Sequence, residues 1–211
     1  MPSTLGSVRW EVLREIDPGD ARALLALGRR RRFRRGDVIF HEGDPAESLH
    51  LVDVGHVAVR TTTPSGDVAT LRLIGPGDHF GDLALVDASR RSATIAAVDR
   101  VETLELRYDD LGRFRVEHPS FERVLLAMLA RNVRRLSANL QETMYLAVPV
   151  RVARRLDELC DLFDGASIPL TQDDLAGLAG TTRQTVNQVL VELGRGRVDV
   201  VDREALRRRS R

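Results

Sequence analysis

The sequence contains no lysine, a single cysteine and no apolar run approaching the length of a membrane span. Each absence removes a class of function. One cysteine, Cys160, cannot build an intrachain disulfide framework or a thiolate-ligated cluster. It lies within the apolar pattern of VARRLDELCDLF and is expected in the core. Without roughly 20 consecutive apolar residues no transmembrane helix is expected. The amino-terminal MPSTLGSVRWEVLREIDPGD carries acids and no hydrophobic h-region, so it does not read as a signal peptide, and a cytoplasmic location follows. An excess of charge of one sign is also missing. The 32 basic residues against 31 acidic ones leave a net charge of +1, which does not announce nucleic acid. With lysine absent, every basic residue is an arginine, able to present a bidentate fork to phosphate, carboxylate or base edge.

What is present indicates a soluble globular chain: 211 residues, 43% hydrophobic and 30% charged, enough for one large domain or two modest ones. Residues 8–28 read as a helix. From about residue 30 to 108, short apolar strands (VIF, LHLVDV, HVAVRT, VATLRLI, ATIAAV, VETLELRY) are broken by Gly-Asp, Asp-Pro, Pro-Ser-Gly-Asp and Gly-Pro-Gly-Asp turns. That spacing predicts an antiparallel sandwich or barrel, with a jelly roll as its natural closure. The period then changes. Over 119–146, apolar residues recur at Leu125, Leu129, Val133, Leu136, Leu140 and Met144 behind Pro119 at a helix start. A helix of that length with one apolar seam suits packing against its own copy, although a seam also fits a domain face. Ala147-Val148-Pro149 forms a hinge before a second helix.

The carboxy-terminal stretch LTQDDLAGLAGTTRQTVNQVLVEL has the grammar of a helix-turn-helix. Thr171 and Asp174 make a capping box for a short helix, and Gly180 supplies the tight turn. Thr181 and Thr182 offer an N-cap to a second helix. This helix sets Val186, Val189, Leu190 and Leu193 on one face and Arg183, Gln184, Asn187 and Gln188 on the other. Arginine can fork onto guanine, and Gln or Asn onto adenine. Thr182 and Thr185 suit phosphates, which set register without reading sequence, and Thr171 joins them as a DNA-binding candidate.

A second stretch, HFGDLALVDASRRSA, places Asp82 and Arg91 nine positions apart around a mostly apolar run. The residues alone leave two readings open: a surface ion pair on a loop, or a pocket for a small anion that also carries hydroxyls. The five histidines, His41, His50, His56, His79 and His118, form no close pair with a carboxylate at metal-ligand spacing. They are expected at turns, edges or the surface, with no metal site and no catalytic constellation.

Together, RRGDVIFHEGDPAESLHLVDVGHVAV, GDLALVDASRRSA and LTQDDLAGLAGTTRQTVNQVL resemble the barrel opening, phosphate-binding cassette and helix-turn-helix of the CRP/FNR family of bacterial transcription regulators, over about residues 10–210. The resemblance implies an α+β protein and not an enzyme. A jelly-roll barrel of cyclic-nucleotide-binding type with its amino-terminal helix would occupy residues 1–118. A dimerisation helix would span 119–146, and a winged helix-turn-helix 147–211. It implies homodimerisation, a double-stranded DNA operator, contact with RNA polymerase, and cAMP or another cyclic nucleotide as effector. Arg91 would take the cyclic phosphate with help from Ser92, Gly81 would allow close approach of the backbone, and Asp82 would face the ribose hydroxyl. Leu83 and Ala93 complete the cassette, and Leu136 and Ser137 stand where the family contacts the base.

Four departures from the family pattern are visible. Asp82 replaces the usual Glu, one methylene longer, and Leu136 replaces a hydrogen-bonding residue. The recognition helix carries Arg183-Gln184 and Gln188 in place of Arg-Glu and Arg. The wing is shortened and is expected to shrink towards a turn at Gly194–Gly196, with phosphate contacts by Arg195 and Arg197 in question. An alternative follows from Asp82 and Leu136: a degenerate pocket on a regulator that binds DNA without nucleotide or senses another small molecule.

Overall fold

The computed structural model describes residues 10–64, 66–163, 168–194, 198–202 and 205–208. The chain divides into two compact units, one of Met1–Val59 with Leu73–Arg135 and one of Arg60–Arg72 with Leu136–Arg211.

The first unit carries most of the β-structure. Strands β1 (Arg29–Phe33), β2 (Val38–Phe40), β3 (Ser48–Val54), β4 (Val57–Thr62), β5 (Val68–Ile74), β6 (His79–Phe80), β7 (Thr94–Ala97) and β8 (Val101–Arg107) form two four-stranded sheets, ordered β1-β8-β3-β6 and β2-β7-β4-β5. The strands of the first sheet pair antiparallel, with Leu51 opposite Leu104 and His50 opposite Phe80. A core of Val52, Val57, Ile74, Phe80, Ile95, Ala97 and Val101 draws on both sheets, so they pack face to face as a jelly roll.

The period-two alternation of β3 decides which side each residue serves. His50 and Val52 point into the barrel. Leu49 and Leu51 point outward into a second core with Leu104, Leu106, Leu111, Phe114, Phe121 and Met128. That outer layer consists of α1 (Pro18–Ala26), α3 (Tyr108–Glu117) and the first turns of α4 (Phe121–Tyr145). Trp10 joins it and donates its indole N–H to the Val52 carbonyl at 2.9 Å.

The single helix expected over 8–28 is instead a 3-10 turn, Glu11–Glu15, followed by α1. Pro18 is the cause. It has no N–H to continue the first segment, and Asp17 before it takes an extended ψ of 142°. The Asp17 carboxylate then caps the new helix by accepting from Gly19 N at 2.6 Å. Helix α3 had no counterpart in the sequence reading. Buried Leu111 and Phe114 hold it to the outer core.

In the second unit, α5 (Val148–Leu162), α6 (Gln172–Ala179) and α7 (Arg183–Gly194) follow the end of α4. Pro149 sits in the first turn of α5, as the hinge reading requires, and Cys160 is buried. After α7 the chain forms a ribbon, β9 (Val198–Asp202) pairing antiparallel with β10 (Ala205–Arg208). The wing is therefore a strand pair, not a turn. Arg195, Gly196 and Arg197 lie outside the described residues.

Candidate effector pocket and DNA-reading helix

Arg91 precedes β7, and its backbone is clamped to the β2–β3 turn: its carbonyl accepts from Gly43 N at 2.8 Å, and its N–H donates to the Asp44 carbonyl at 3.0 Å. The side chain turns inward and is only 6% exposed. Its guanidinium lies 3.9 Å over the Phe40 ring. It donates to Ser48 Oγ at 3.2 Å, to Tyr108 Oη at 3.3 Å and to the Gly81 carbonyl at 3.4 Å. Tyr108 donates its hydroxyl to the same Gly81 carbonyl. Among the described residues none of these partners is charged, and the buried Nε–H has no partner at all. Burial lowers the Arg91 pKa, partly offset by Tyr108.

A cavity of about 170 Å³ opens beside the guanidinium, lined by Phe33, Ile39, Phe40, Pro45, Ser48 and His50, with Arg31, Glu47 and Glu105 also contributing. A buried cation that lines a cavity and has only neutral hydrogen-bond partners is suited to receive an anion there.

The rest of the cassette is arranged around this arginine. Gly81 has φ +86°, and a Cβ there would stand 2.6 Å from Arg91 Nη1 and 2.8 Å from the Ser48 carbonyl. Any larger residue would therefore displace the guanidinium as well as strain the backbone. Asp82, beside the start of α2 (Leu83–Asp87), accepts from Asn132 Nδ2 at 2.8 Å and lies 3.7 Å from His79 Nε2. Burial alone would raise its pKa, but His79 and Asn132 outweigh this and hold it below the usual value. Ser92 is exposed, Ala93 is buried and Leu83 is half exposed.

The predicted set is thus only partly gathered. Gly81 touches Arg91, whereas the carboxylate of Asp82 is engaged by α4 and does not line the cavity. Leu136 and Ser137 are exposed on α4 within the second unit.

Sequence reasoning missed Ser48, Tyr108, His50 and Asn132. Two of them were signalled by polar residues on the inward face of SLHLVDV, where apolar ones are expected. His50 is buried in the internal strand β3, contrary to the turn, edge or surface placement expected for it, and His79 is buried although it lies on the edge strand β6. His50 stacks on Phe80 with 4.8 Å between centroids and bonds Ser48 Oγ at 3.2 Å and Thr103 Oγ1 at 3.0 Å.

The reader follows its sequence grammar closely. Thr171 Oγ1 accepts from Asp174 N at 3.1 Å, and Asp174 Oδ2 accepts from Thr171 N at 3.0 Å, closing the capping box. Gly180 ends α6 at φ 60°, the left-handed turn into the next helix. Thr182 Oγ1 accepts from Thr185 N at 3.3 Å and so caps α7. Val186, Val189 and Leu190 are buried; the side chain of Leu193 lies outside the described residues. Arg183, Gln184, Asn187 and Gln188 are exposed on the other side, with Arg183 resting 3.3 Å from Asp173.

One residue of this unit gave no sequence signal. Arg151 of α5, buried, donates to the carbonyls of Ala179 (2.9 Å), Gly180 (3.0 Å), Leu146 (3.0 Å) and Thr143 (3.3 Å). These carbonyls end α6 and α4, where helix dipoles place partial negative charge, so the guanidinium joins two helix ends that oppose its charge.

Comparison with known proteins agrees with this division. Residues 30–118 match the cyclic nucleotide-binding domain, and residues 150–209 match the Crp-like helix-turn-helix domain. The chain is 31% identical over 218 residues to the CRP-like cAMP-activated global transcriptional regulator of Mycobacterium tuberculosis, covering 96% of this chain and 97% of that protein. It is 35% identical over 193 residues to the Cyclic AMP receptor protein of Thermus thermophilus, covering 88% and 89%. The crystal structure of the Thermus thermophilus Catabolite Activator Protein superposes with a TM-score of 0.57 at 32% identity, over 94% of this chain and 93% of that one. These relatives regulate transcription and are not enzymes. With both halves matched and a relative above 30% identity along nearly its whole length, this chain belongs to the CRP family of DNA-binding transcription regulators.

Proposed function

We propose that the chain is a cytoplasmic homodimer whose barrel takes a cyclic nucleotide, cAMP first, and whose paired α7 helices read two half-sites of a DNA operator beside RNA polymerase. On this reading the barrel ends near residue 118, residues 119–146 form the dimer helix and residues 147–211 form the reader. Arg91 carries the proposal: a buried guanidinium with uncharged partners and a spare donor requires an anion more than it requires any group already touching it. The cyclic phosphate supplies that anion, with Ser92 and the backbone near Gly81 beside it. Asp82 and Asn132 then form a polar pair for the ribose hydroxyl. Two relatives above 30% identity are named for cAMP, which makes it the first ligand to test.

A second reading, a pocket that has left cyclic nucleotides for another small molecule or for none, is favoured by two observations. Asp82 is already bonded to Asn132, and the cavity at Arg91 is small. A regulator from Xanthomonas campestris with the same fold, at 23% identity and a TM-score of 0.75, is described as responsive to c-di-GMP, so the fold alone does not choose the effector. Calorimetric titration with cAMP and cGMP at one salt concentration separates the readings: saturable heat with either supports the first, and none with both supports the second.

Dimerisation rests on α4. Leu126, Val133, Leu136, Leu140 and Met144 are all exposed, with Leu129 half-buried between them. At 100° per residue these positions fall within one stripe, beside the face that buries Val124, Leu125 and Met128. Leu136, out of place as a base contact, fits this seam. Leu140→Glu would set two like charges against each other at the interface. Equilibrium sedimentation at micromolar concentration is expected to give two copies for the wild type and one for the variant, and a wild type that sediments as one copy removes the dimer.

Arg183→Ala tests the reader. Loss of a bidentate base contact costs about 1–3 kcal/mol, so specific affinity should fall roughly five- to 150-fold at fixed salt while non-specific affinity changes little. Since Arg183 is exposed, the melting temperature should not move. An unchanged footprint would remove Arg183 from base recognition.

A further inference from the structure

The hairpin formed by the end of β4 and the start of β5 belongs to the second compact unit, together with the helix-turn-helix. One carboxylate joins the two. Asp174 is 7% exposed and divides its oxygens between two tasks. Oδ2 closes the capping box with Thr171. Oδ1 accepts from Thr70 Oγ1 at 2.5 Å and from Arg60 Nη2 at 3.1 Å, residues more than a hundred positions away in the chain. Thr70 is 2% exposed although it lies near the turn of a hairpin. Gly177, one turn further along α6, lets the hairpin approach: a Cβ there would stand 2.6 Å from Thr70 N and 2.7 Å from Thr70 O. The hairpin therefore grips α6 through a charge-assisted pair of hydrogen bonds and a backbone approach that only glycine permits. It leaves Arg183, Gln184, Asn187 and Gln188 exposed, so the grip is compatible with a bound duplex.

We propose that this hairpin is a strut for DNA reading, with Thr70, Arg60, Asp174 and Gly177 as positioning residues that set the attitude of α6 and, through the Gly180 turn, of the recognition helix. The inference rests on the DNA-reading half of the proposed function and is independent of the effector. Nothing in the strut touches a base. Weakening it therefore lowers affinity without altering which sequence is preferred.

The test uses the full-length chain and a duplex selected by the wild type from a random pool, with fluorescence anisotropy at fixed salt. Thr70→Val keeps the side-chain shape and removes the donor. Its affinity should fall about tenfold, the scale of one hydrogen bond to a charged group, and Thr70→Ser should restore it. Gly177→Ala discriminates further. Alanine is the better helix former, so α6 itself should be no less stable, yet the hairpin must move away and affinity should fall by a similar factor. The bases selected by each variant should match those of the wild type. Hydrogen exchange should show faster exchange in residues 60–72 of both variants while the capping box persists.

Affinities within twofold of wild type in both variants, with the hairpin released, would overturn the strut. So would unchanged exchange in 60–72, which would mean that no grip existed to break. A wild type that selects no duplex at all would count against the DNA-reading proposal, and the exchange measurement would then decide the grip separately.

Discussion

Arg91→Gln is expected to remove detectable cyclic-nucleotide binding while leaving the barrel at least as stable as before. The guanidinium is held by Ser48, Tyr108 and the Gly81 carbonyl, all neutral, and is stacked on Phe40. A cation in that setting has lost its water without gaining a direct ion pair, and the charges of Glu47 and Asp44 offset only part of that cost in the absence of ligand. An anionic ligand reverses the sign, since each hydrogen bond to a charged group contributes about 1.5–3 kcal/mol, and a forked pair therefore carries 100-fold or more in affinity. Glutamine keeps much of the length and one amide donor but neither the charge nor the fork. Calorimetry should show no saturable heat with cAMP or cGMP in the variant where the wild type shows it. Thermal unfolding followed through Trp10, the single tryptophan and part of the same unit, should show an unchanged or raised midpoint. Equal titrations for the two proteins would detach Arg91 from the effector. A large drop in midpoint would instead make it a structural residue.

Much of this arrangement could be read from the sequence because its causes are local. The Gly-Asp and Pro-Gly-Asp breaks mark turns wherever the strands lie. The capping box of α6 needs only residues three apart, and the seam of α4 is a spacing. What could not be read depends on partners far away in the chain. His50 is an anomaly in an apolar strand until Thr103, 53 positions on, accounts for one of its ring nitrogens. Thr70 looks like a surface threonine of a hairpin, and only Asp174, 104 positions later, explains its burial. Arg151 reads as a solvated helix position because its four acceptors are main-chain carbonyls, which every sequence has and none advertises. Helix α3 was hidden for a related reason: Tyr108 continues the strand pattern of β8 without a break, and only tertiary burial of Leu111 and Phe114 favours a helix beyond it. The break at Pro18 was legible, since a proline inside a helical stretch ends the helix at the residue before it.

The same buried histidines that escaped the sequence predict a stability maximum near neutral pH, with one histidine responsible for each limb. Burial, then the charges of Arg91 and Arg31, push the pKa of His50 down to about 3. The unfolded chain takes up a proton there near 6.5 and the folded chain does not, so stability is lost as pH falls below 6.5. His79 runs the other way. Burial lowers its pKa, but Asp78 and Asp82 outweigh that and leave it raised. Its contribution is complete below 6.5 and is lost only as pH rises through the folded value, so it is level across the acid limb. Asp82 and Asp174, both with lowered pKa, keep their contributions until pH falls below the ordinary aspartate value of 3.8. Between pH 6.5 and 4.5 the slope therefore belongs to His50. With the unfolded histidine half protonated at pH 6.5 and nearly fully so at 4.5, about 1.4 kcal/mol per unit integrates to a loss of about 2 kcal/mol. Urea unfolding of the barrel, followed by Trp10 fluorescence at half-unit steps of pH, should trace that loss. His50→Phe retains the ring stacked against Phe80 and removes the titrating nitrogens, at the cost of one partner each for Ser48 and Thr103. The variant should be less stable than wild type at pH 7 and lose less than about 1 kcal/mol down to pH 4.5. A wild-type acid limb of equal slope in the variant would place the titrating group elsewhere. Because His50 stands beside Arg91 and Arg31, protonating it would also add a third cation to the cavity wall, and burial keeps it neutral.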